Sequence, residues 1–174
     1  MSKNYKKSSS AVWWIIGTGL VTVVLLRLII GASKNSSSSE ITPASKTNRE
    51  VALSCTTDMA TQFHIHPHVQ IVVNGQPQEV PAQIGIANGI CMHPIHTHDN
   101  SGTLHVESPE KRDFTLADFF AVWNKTYRKD QILDYKVDQT HIIRETVNGV
   151  EVKDYENTVL HDGDQIVISY EEKK

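Results

Sequence analysis

Residues 63–80 read FHIHPHVQIVVNGQPQEV, a stretch in which histidine, valine and isoleucine lead into an Asn-Gly pair. β-Branched residues favour strands, and Asn74-Gly75 readily supplies the two positive φ angles that a tight hairpin turn needs. The pattern therefore predicts a β-hairpin over residues 63–84, with one continuous first strand over residues 63–73.

A helix is predicted further along, in FTLADFFAVWNK. Thr115 and Asp118 have the spacing of a capping box, with Asp in place of the usual Glu. The apolar side chains recur at helical spacing on one face, which indicates core packing. That face comprises Leu116, Phe119, Phe120 and Trp123.

The remaining segments read as strands. A short third strand is predicted over residues 103–107, and further strands flank Asn148-Gly149 and follow Asp162-Gly163. Hairpin, helix and later strands with an L-x-D-G-D loop resemble the β-grasp arrangement of ubiquitin-like sulfur carriers. The expected fold class is α+β, a β-grasp-like mixed sheet with one main helix. The terminal Gly-Gly of those carriers is absent, which argues against conjugation.

The amino-terminal third predicts a membrane anchor. Residues 11–32 form an almost uninterrupted apolar run, long enough for a single transmembrane helix. Lysines before the run favour a cytoplasmic amino terminus and an extracytoplasmic carboxy-terminal domain. A secretory signal peptide is the alternative, and it also exports the domain. The predicted order is a cytoplasmic basic tail (1–10), the membrane helix (11–32), a Ser-rich flexible linker (33–50) and an exported domain (51–174).

Charge separates the two parts of the chain. Residues 1–50 hold 7 of the 17 Lys and Arg but only 2 of the 20 Asp and Glu, so the predicted domain carries a net charge of about −8. Repulsion from phosphates opposes nucleic-acid binding, and an anionic membrane surface is disfavoured for the same reason. An acidic exported domain is compatible with attracting cations.

Histidine is concentrated in one part of the chain. Seven of the nine histidines lie between residues 64 and 105. Six of them recur at i, i+2 spacing or lie on the predicted third strand, and successive strand side chains point to opposite faces. If the third strand pairs beside the first, these histidines converge on one patch. These six residues are His64, His66, His68, His96, His98 and His105.

The six histidines are predicted to bind a transition metal. Imidazole suits copper and zinc, and the Irving–Williams order makes copper the first choice at a nitrogen-rich site, with zinc as the alternative. Asp99 and Glu107 are predicted not to bind the ion but to accept hydrogen bonds from the ring nitrogens that do not bind the metal, or to act as turn partners. His93, His141 and His161 are interpreted as structural.

Cys55 and Cys91 form an even pair in a domain predicted to be exported, which favours a disulfide. Such a bond would close the loop that carries the first histidine strand. The alternative is that Cys91, two residues before His93, serves as a copper ligand or redox thiol.

Three motifs together resemble an uncharacterised family of membrane-anchored exported proteins of prokaryotes. They are H-x-H-x-H, H-T-H-D-x-S-G-x-x-H-x-E-S-P and F-T-L-x-x-F-F-x-x-W, and the resemblance spans roughly residues 51–170. It implies that the histidine strings act as one unit, and it implies no activity.

The sequence thus predicts a membrane-anchored, extracytoplasmic copper-binding protein for capture, delivery or sensing of the ion, with a membrane or exported protein as a further candidate partner. Two other classes stay open. One is a zinc or copper hydrolase or redox enzyme, in which three histidines hold the metal and Glu107 or Asp99 acts as general base. The other is a metal-free, pH-sensitive interaction module.

Overall fold

β-Sheet dominates the computed structural model of the chain, which describes residues 45–57, 61–87 and 89–173. The predicted α+β fold class, a β-grasp-like sheet with one main helix, is wrong. The described residues are mostly strands and turns and contain two short helices, α1 (Asn48–Ala52) and α2 (Leu116–Val122). Helix α2 ends before Asn124, because Asn124 adopts a φ of +57°, in the left-handed region, and so leaves the helical conformation.

The largest sheet is mixed and five-stranded, in the order β12-β11-β13-β2-β3. Its one parallel pair joins β13 to β2. The tight turn at Asn74-Gly75 connects β2 to β3, and the one at Asn148-Gly149 connects β11 to β12. The strands are β2 (His68–Val73), β3 (Gln76–Gln78), β11 (His141–Val147), β12 (Val150–Val152) and β13 (Gln165–Glu172).

A second, antiparallel sheet has the order β1-β7-β6. It comprises β1 (Phe63–Ile65), β6 (Ile95–His96) and β7 (His105–Ser108). Two smaller sheets complete the described structure together with a 3₁₀ turn at Tyr155–Asn157. Their strands are β4 (Ile86–Ala87), β5 (Cys91–Met92), β8 (Tyr127–Arg128), β9 (Gln131–Ile132) and β10 (Tyr135–Lys136).

The predicted continuous strand over residues 63–73 is broken at His66 and Pro67. Proline has no N–H to donate to a strand ladder. The carbonyl of Pro67 instead accepts from the backbone N–H of Leu104, and the carbonyl of His66 accepts from Gly163. The chain therefore leaves the three-stranded β1-β7-β6 sheet, here called the small sheet, after Ile65. It enters the five-stranded sheet, here called the large sheet, at residue 68.

Helix α2 packs its apolar face into the core, as its spacing predicts. Phe119 and Leu116 are fully buried, and Phe120 is almost so. The carboxylate of Asp118 accepts from the backbone N–H of Thr115 at 2.9 Å, which satisfies a donor at the start of the helix. The same carboxylate lies 2.9 Å from Nε of Arg49 on α1, which joins the two helices.

One carboxylate, that of Glu145 on β11, is fully buried. The hydroxyls of Tyr127 and Thr158 both donate to it. Burial raises the pKa of Glu145, and burial followed by the charge of Glu145 raises the pKa of Tyr127. The two hydroxyls thus provide hydrogen bonds that a buried carboxylate needs.

We expect Tyr127→Phe to lower the free energy of unfolding by about 1–3 kcal/mol near neutral pH, because the carboxylate loses a donor. Removing that donor raises the folded-state pKa of Glu145 further. A group whose pKa is raised in the folded state contributes stability at pH values below its unfolded-state pKa. That contribution is lost as the pH rises through the folded-state pKa. The loss should therefore be smaller at about pH 4.5 than at about pH 7.5, measured by urea unfolding.

Tyr135→Phe is the matched control, since Tyr135 is 38% exposed. It should change the free energy of unfolding by less than about 0.5 kcal/mol at either pH. Equal losses for Tyr127→Phe at both pH values would contradict the assigned coupling to Glu145.

Residues 1–44, which include the predicted basic tail, the predicted membrane helix at residues 11–32 and most of the predicted linker, lie outside the described residues. Within the described ranges, no helix is long and apolar enough to cross a membrane. The predicted transmembrane helix is not among the helices that the structure describes. Helix α1 crosses residue 51, the predicted start of the domain.

Candidate metal centre

His105 lies on the central strand of the small sheet, between two strands that also carry histidines. On one side, β1 places His64 opposite Glu107. On the other side, β6 places His96 directly opposite His105. Because side chains alternate along a strand, His105 and Glu107 share the face opposite to the fully buried Val106. The sheet therefore collects imidazoles from three strands on one face.

The first set of rings, here called the surface group, comprises His64, His66 and His105. One ring nitrogen from each lies within 4.8 Å of the others, so the group can hold a metal ion. His64 Nε2 is 3.3 Å from His105 Nδ1, and the ring centroids of His64 and His66 are 4.3 Å apart. Both His64 and His66 are exposed, which leaves this group open to solvent.

The second set, the inner group, comprises His96, His98 and His105. Its ligand atoms also lie within 4.8 Å of one another. His96 Nε2 is 3.2 Å from His98 Nε2, and the ring centroids of His98 and His105 are 4.5 Å apart. His96 is fully buried whereas His98 is exposed, so the inner group runs from the interior to the surface.

A backbone carbonyl sets the orientation of the His96 ring. His96 Nδ1 lies 3.0 Å from the carbonyl oxygen of His93, and a carbonyl can only accept, so Nδ1 carries the proton. The lone pair is then on Nε2, the nitrogen that faces His98. Metal-binding histidines are commonly oriented by such a bond from the other ring nitrogen. Sequence reasoning treated His93 as structural and missed this role of its main chain.

The two least exposed rings of the cluster favour the neutral state. Burial lowers the pKa of His96. Burial, followed by the charges of neighbouring histidines led by His98, lowers the pKa of His105. Neutral imidazole is the form that binds metal ions, so the shifts leave these nitrogens available near neutral pH.

An aspartate holds the end of the first strand in place. The backbone N–H of His66 donates to Asp162 Oδ1 at 2.8 Å, across 96 residues of sequence. Asp162 lies in the L-x-D-G-D loop and was not predicted to support the cluster. Its role depends on how the large sheet places that loop, which local spacing does not reveal.

The two predicted supporting carboxylates occupy different positions. Asp99 accepts from the backbone N–H of Ser101 at 2.8 Å and closes the following turn, and hydrogen bonds from Ser101 lower the pKa of Asp99. Glu107 Oε1 lies 3.2 Å from His64 Nε2, the same nitrogen that faces His105. Glu107 thus places a carboxylate beside the ligand side of the surface group.

Four histidines lie outside both groups. His68 was predicted as a ligand, but it enters the large sheet, and its Nε2 contacts the carbonyl oxygen of Ser101 at 2.8 Å. The other three each contact a carbonyl or carboxylate oxygen through Nδ1: His93 with Ala52, His141 with Asp138, and His161 with Asp164.

Cys55 and Cys91 form the predicted disulfide, with a sequence separation of 36. Strand β5 pairs with Thr56 beside the bond, and His93 contacts α1 through the carbonyl of Ala52. These contacts anchor the chain shortly before the inner group begins. The chain has two cysteines, and both are used in this bond, so it offers no free thiolate as a metal ligand.

Gly102 connects the inner group to β2. Its φ is +87°, and a Cβ built there would lie 2.4 Å from the backbone oxygen of Val69. The Gly102 carbonyl accepts from the N–H of Val69 at 2.9 Å. The glycine in HTHDNSG is therefore required both by the backbone conformation and by the close approach of a neighbouring strand.

We expect Gly102→Ala to lower the free energy of unfolding by more than about 2 kcal/mol, because strain and a backbone clash add together. Gly149→Ala is the matched control. Its φ is +80°, and nothing lies within 4 Å of the added Cβ, so it reports the conformational cost alone. Urea unfolding of both variants measures the difference, and equal losses would rule out the clash.

Comparisons with family models, with curated proteins and with solved structures each find no match to this chain.

Proposed function

We propose that this protein binds copper outside the cytoplasm and serves in capture or delivery of the ion. One observation carries the proposal: four imidazoles lie beside that of His105, and in each group one ring nitrogen from each member lies within 4.8 Å of the others. Surface histidines with a purely structural role contact carbonyl or carboxylate oxygens, as His141 and His161 do. His64 and His96 also contact such oxygens, but in addition their Nε2 atoms face ring nitrogens of His105 and His98, an arrangement that a shared cation stabilises.

The donor set supports copper. All five candidate ligands are imidazole nitrogens, and the two cysteines are bonded to each other. Among divalent ions at such nitrogen sites, Cu²⁺ binds most tightly. The disulfide supports an oxidising compartment, where copper occurs as Cu²⁺ and such bonds persist. The exposed rings of His64, His66 and His98 favour exchange of the ion with a partner.

The test is a titration of the metal-free full-length chain with Cu²⁺ and, separately, with Zn²⁺, followed by elemental analysis after desalting. We expect stoichiometric copper, bound more tightly than zinc. The variant His64→Ala/His66→Ala/His98→Ala removes the exposed members of both groups and should lose most of the bound copper. Its matched control is His68→Ala/His141→Ala/His161→Ala, which removes three histidines outside both groups.

The control triple variant should retain the copper content of the native chain. Failure of the native chain to retain copper would overturn the proposal. So would equal losses in the two triple variants, because binding would then follow the number of histidines rather than their arrangement.

A further inference from the structure

The arrangement around His105 bears on how many ions the cluster holds, an inference that rests on the proposed function. Strand β7 is the middle strand of its sheet, so β1 and β6 lie on opposite sides of it. The surface group takes its other two rings from one side, and the inner group takes its other two from the other side. His105 is the one member common to both groups.

A single ion does not account for this division. Within the described residues, the five histidines form two groups of three rather than one group of five whose nitrogens all lie within 4.8 Å. An ion in the surface group uses His64 and His66, and an ion in the inner group uses His96 and His98. Each ion would leave the opposite pair of rings unused.

The imidazole of His105 has two nitrogens, and one of them faces the surface group. Its Nδ1 lies 3.3 Å from His64 Nε2 and thus faces the surface group. A histidine ring carries its second nitrogen, Nε2, on a different edge. The ring centroids of His96 and His98 lie 5.5 and 4.5 Å from that of His105.

We propose that the cluster is a two-ion copper site in which His105 bridges the ions, with Nδ1 bound to the ion of the surface group and Nε2 to the ion of the inner group. Binding through both nitrogens displaces the ring proton, which passes to the solvent, and leaves an imidazolate. The charge of the imidazolate offsets part of the repulsion between two cations. The carboxylate of Glu107, 3.2 Å from His64 Nε2, supplies further negative charge beside the surface group.

The experiment titrates the metal-free full-length chain with Cu²⁺ and measures two quantities, the copper retained per chain and the electron paramagnetic resonance spin count. We expect two ions per chain. Two Cu²⁺ ions joined by an imidazolate couple antiferromagnetically, so at low temperature the spin count at saturation should fall well below the copper content.

The variant His64→Ala/His66→Ala keeps the inner group intact. It should retain one ion per chain, with a spin count equal to its copper content. The matched control His141→Ala/His161→Ala changes two histidines outside the cluster and should retain two coupled ions. Both variants replace side chains at partly exposed positions, which favours normal folding.

Two ions per native chain with a full spin count would overturn the shared imidazole. One ion per native chain would overturn the two-ion site while leaving the proposed copper-binding function intact. Absence of retained copper would overturn that function and the two-ion site together.

Discussion

Replacing His105 by alanine should weaken copper binding more than any other single substitution in the cluster. His105 belongs to both groups, so the change leaves each group with two imidazoles. Loss of a residue that merely orients a ligand typically lowers metal affinity by 10–100-fold, and loss of a ligand should exceed this. We therefore expect the dissociation constant for the first Cu²⁺ to rise at least ~100-fold, measured by competition with a chelator of known affinity.

His68→Ala is the matched control for this prediction. His68 lies at the start of β2, near the cluster in sequence, but its Nε2 contacts the carbonyl oxygen of Ser101. Its removal should change the dissociation constant by less than about threefold, since it belongs to neither group. A similar loss in both variants would mean that His68 binds copper and that the two groups are drawn incorrectly. Far-ultraviolet circular dichroism of both metal-free variants checks that they fold.

The parts of the fold that depend on local chemistry were predictable from sequence. Asn74-Gly75 and Asn148-Gly149 form tight turns because Asn and Gly tolerate positive φ. Thr115 begins α2 because Asp118, three residues later, accepts from its N–H. The fold class was not predictable in this way, because the helix extends only to Val122 and strands fill much of the remaining described chain.

The assignment of His68 shows where sequence spacing ceases to be informative. His64, His66 and His68 alternate as on one strand, yet the strand breaks at Pro67. What decides the break lies far away in sequence: Asp162 and Gly163 bond to the backbone of His66, and Leu104 bonds to Pro67. Alternation alone contains no information about such partners.

The division of the cluster into two groups also depends on long-range structure. The i, i+2 spacing placed His96 with His98, and the third strand was expected to carry His105. Only the strand order β1-β7-β6 puts His105 between the other pairs. The hydrogen bond from His96 Nδ1 to the His93 carbonyl is likewise a property of the folded backbone. Every residue has a backbone carbonyl, so residue type does not reveal which donor will bond to it.

Removing the disulfide should produce the largest loss of stability. Cys55→Ser/Cys91→Ser opens a loop with a sequence separation of 36, and the chain-entropy relation for a loop of that size gives about 4 kcal/mol. Cys55 is exposed and Cys91 only half-buried, so the serine hydroxyls remain near solvent and add little further cost. For a domain of this size, that loss corresponds to a decrease in Tm of about 10–15 °C.

Calorimetry and urea unfolding of the metal-free protein measure this loss without a contribution from bound ions. Reduction of the native chain should lower Tm as much as the double substitution, and reduction of the Cys55→Ser/Cys91→Ser variant should leave its Tm unchanged. The loop closed by the disulfide carries His64 and His66, and the bond precedes His96 by only a few residues. A decrease in the free energy of unfolding of less than about 1 kcal/mol would contradict the loop-closure contribution. It would mean that the unfolded chain holds residues 55 and 91 close together even without the bond.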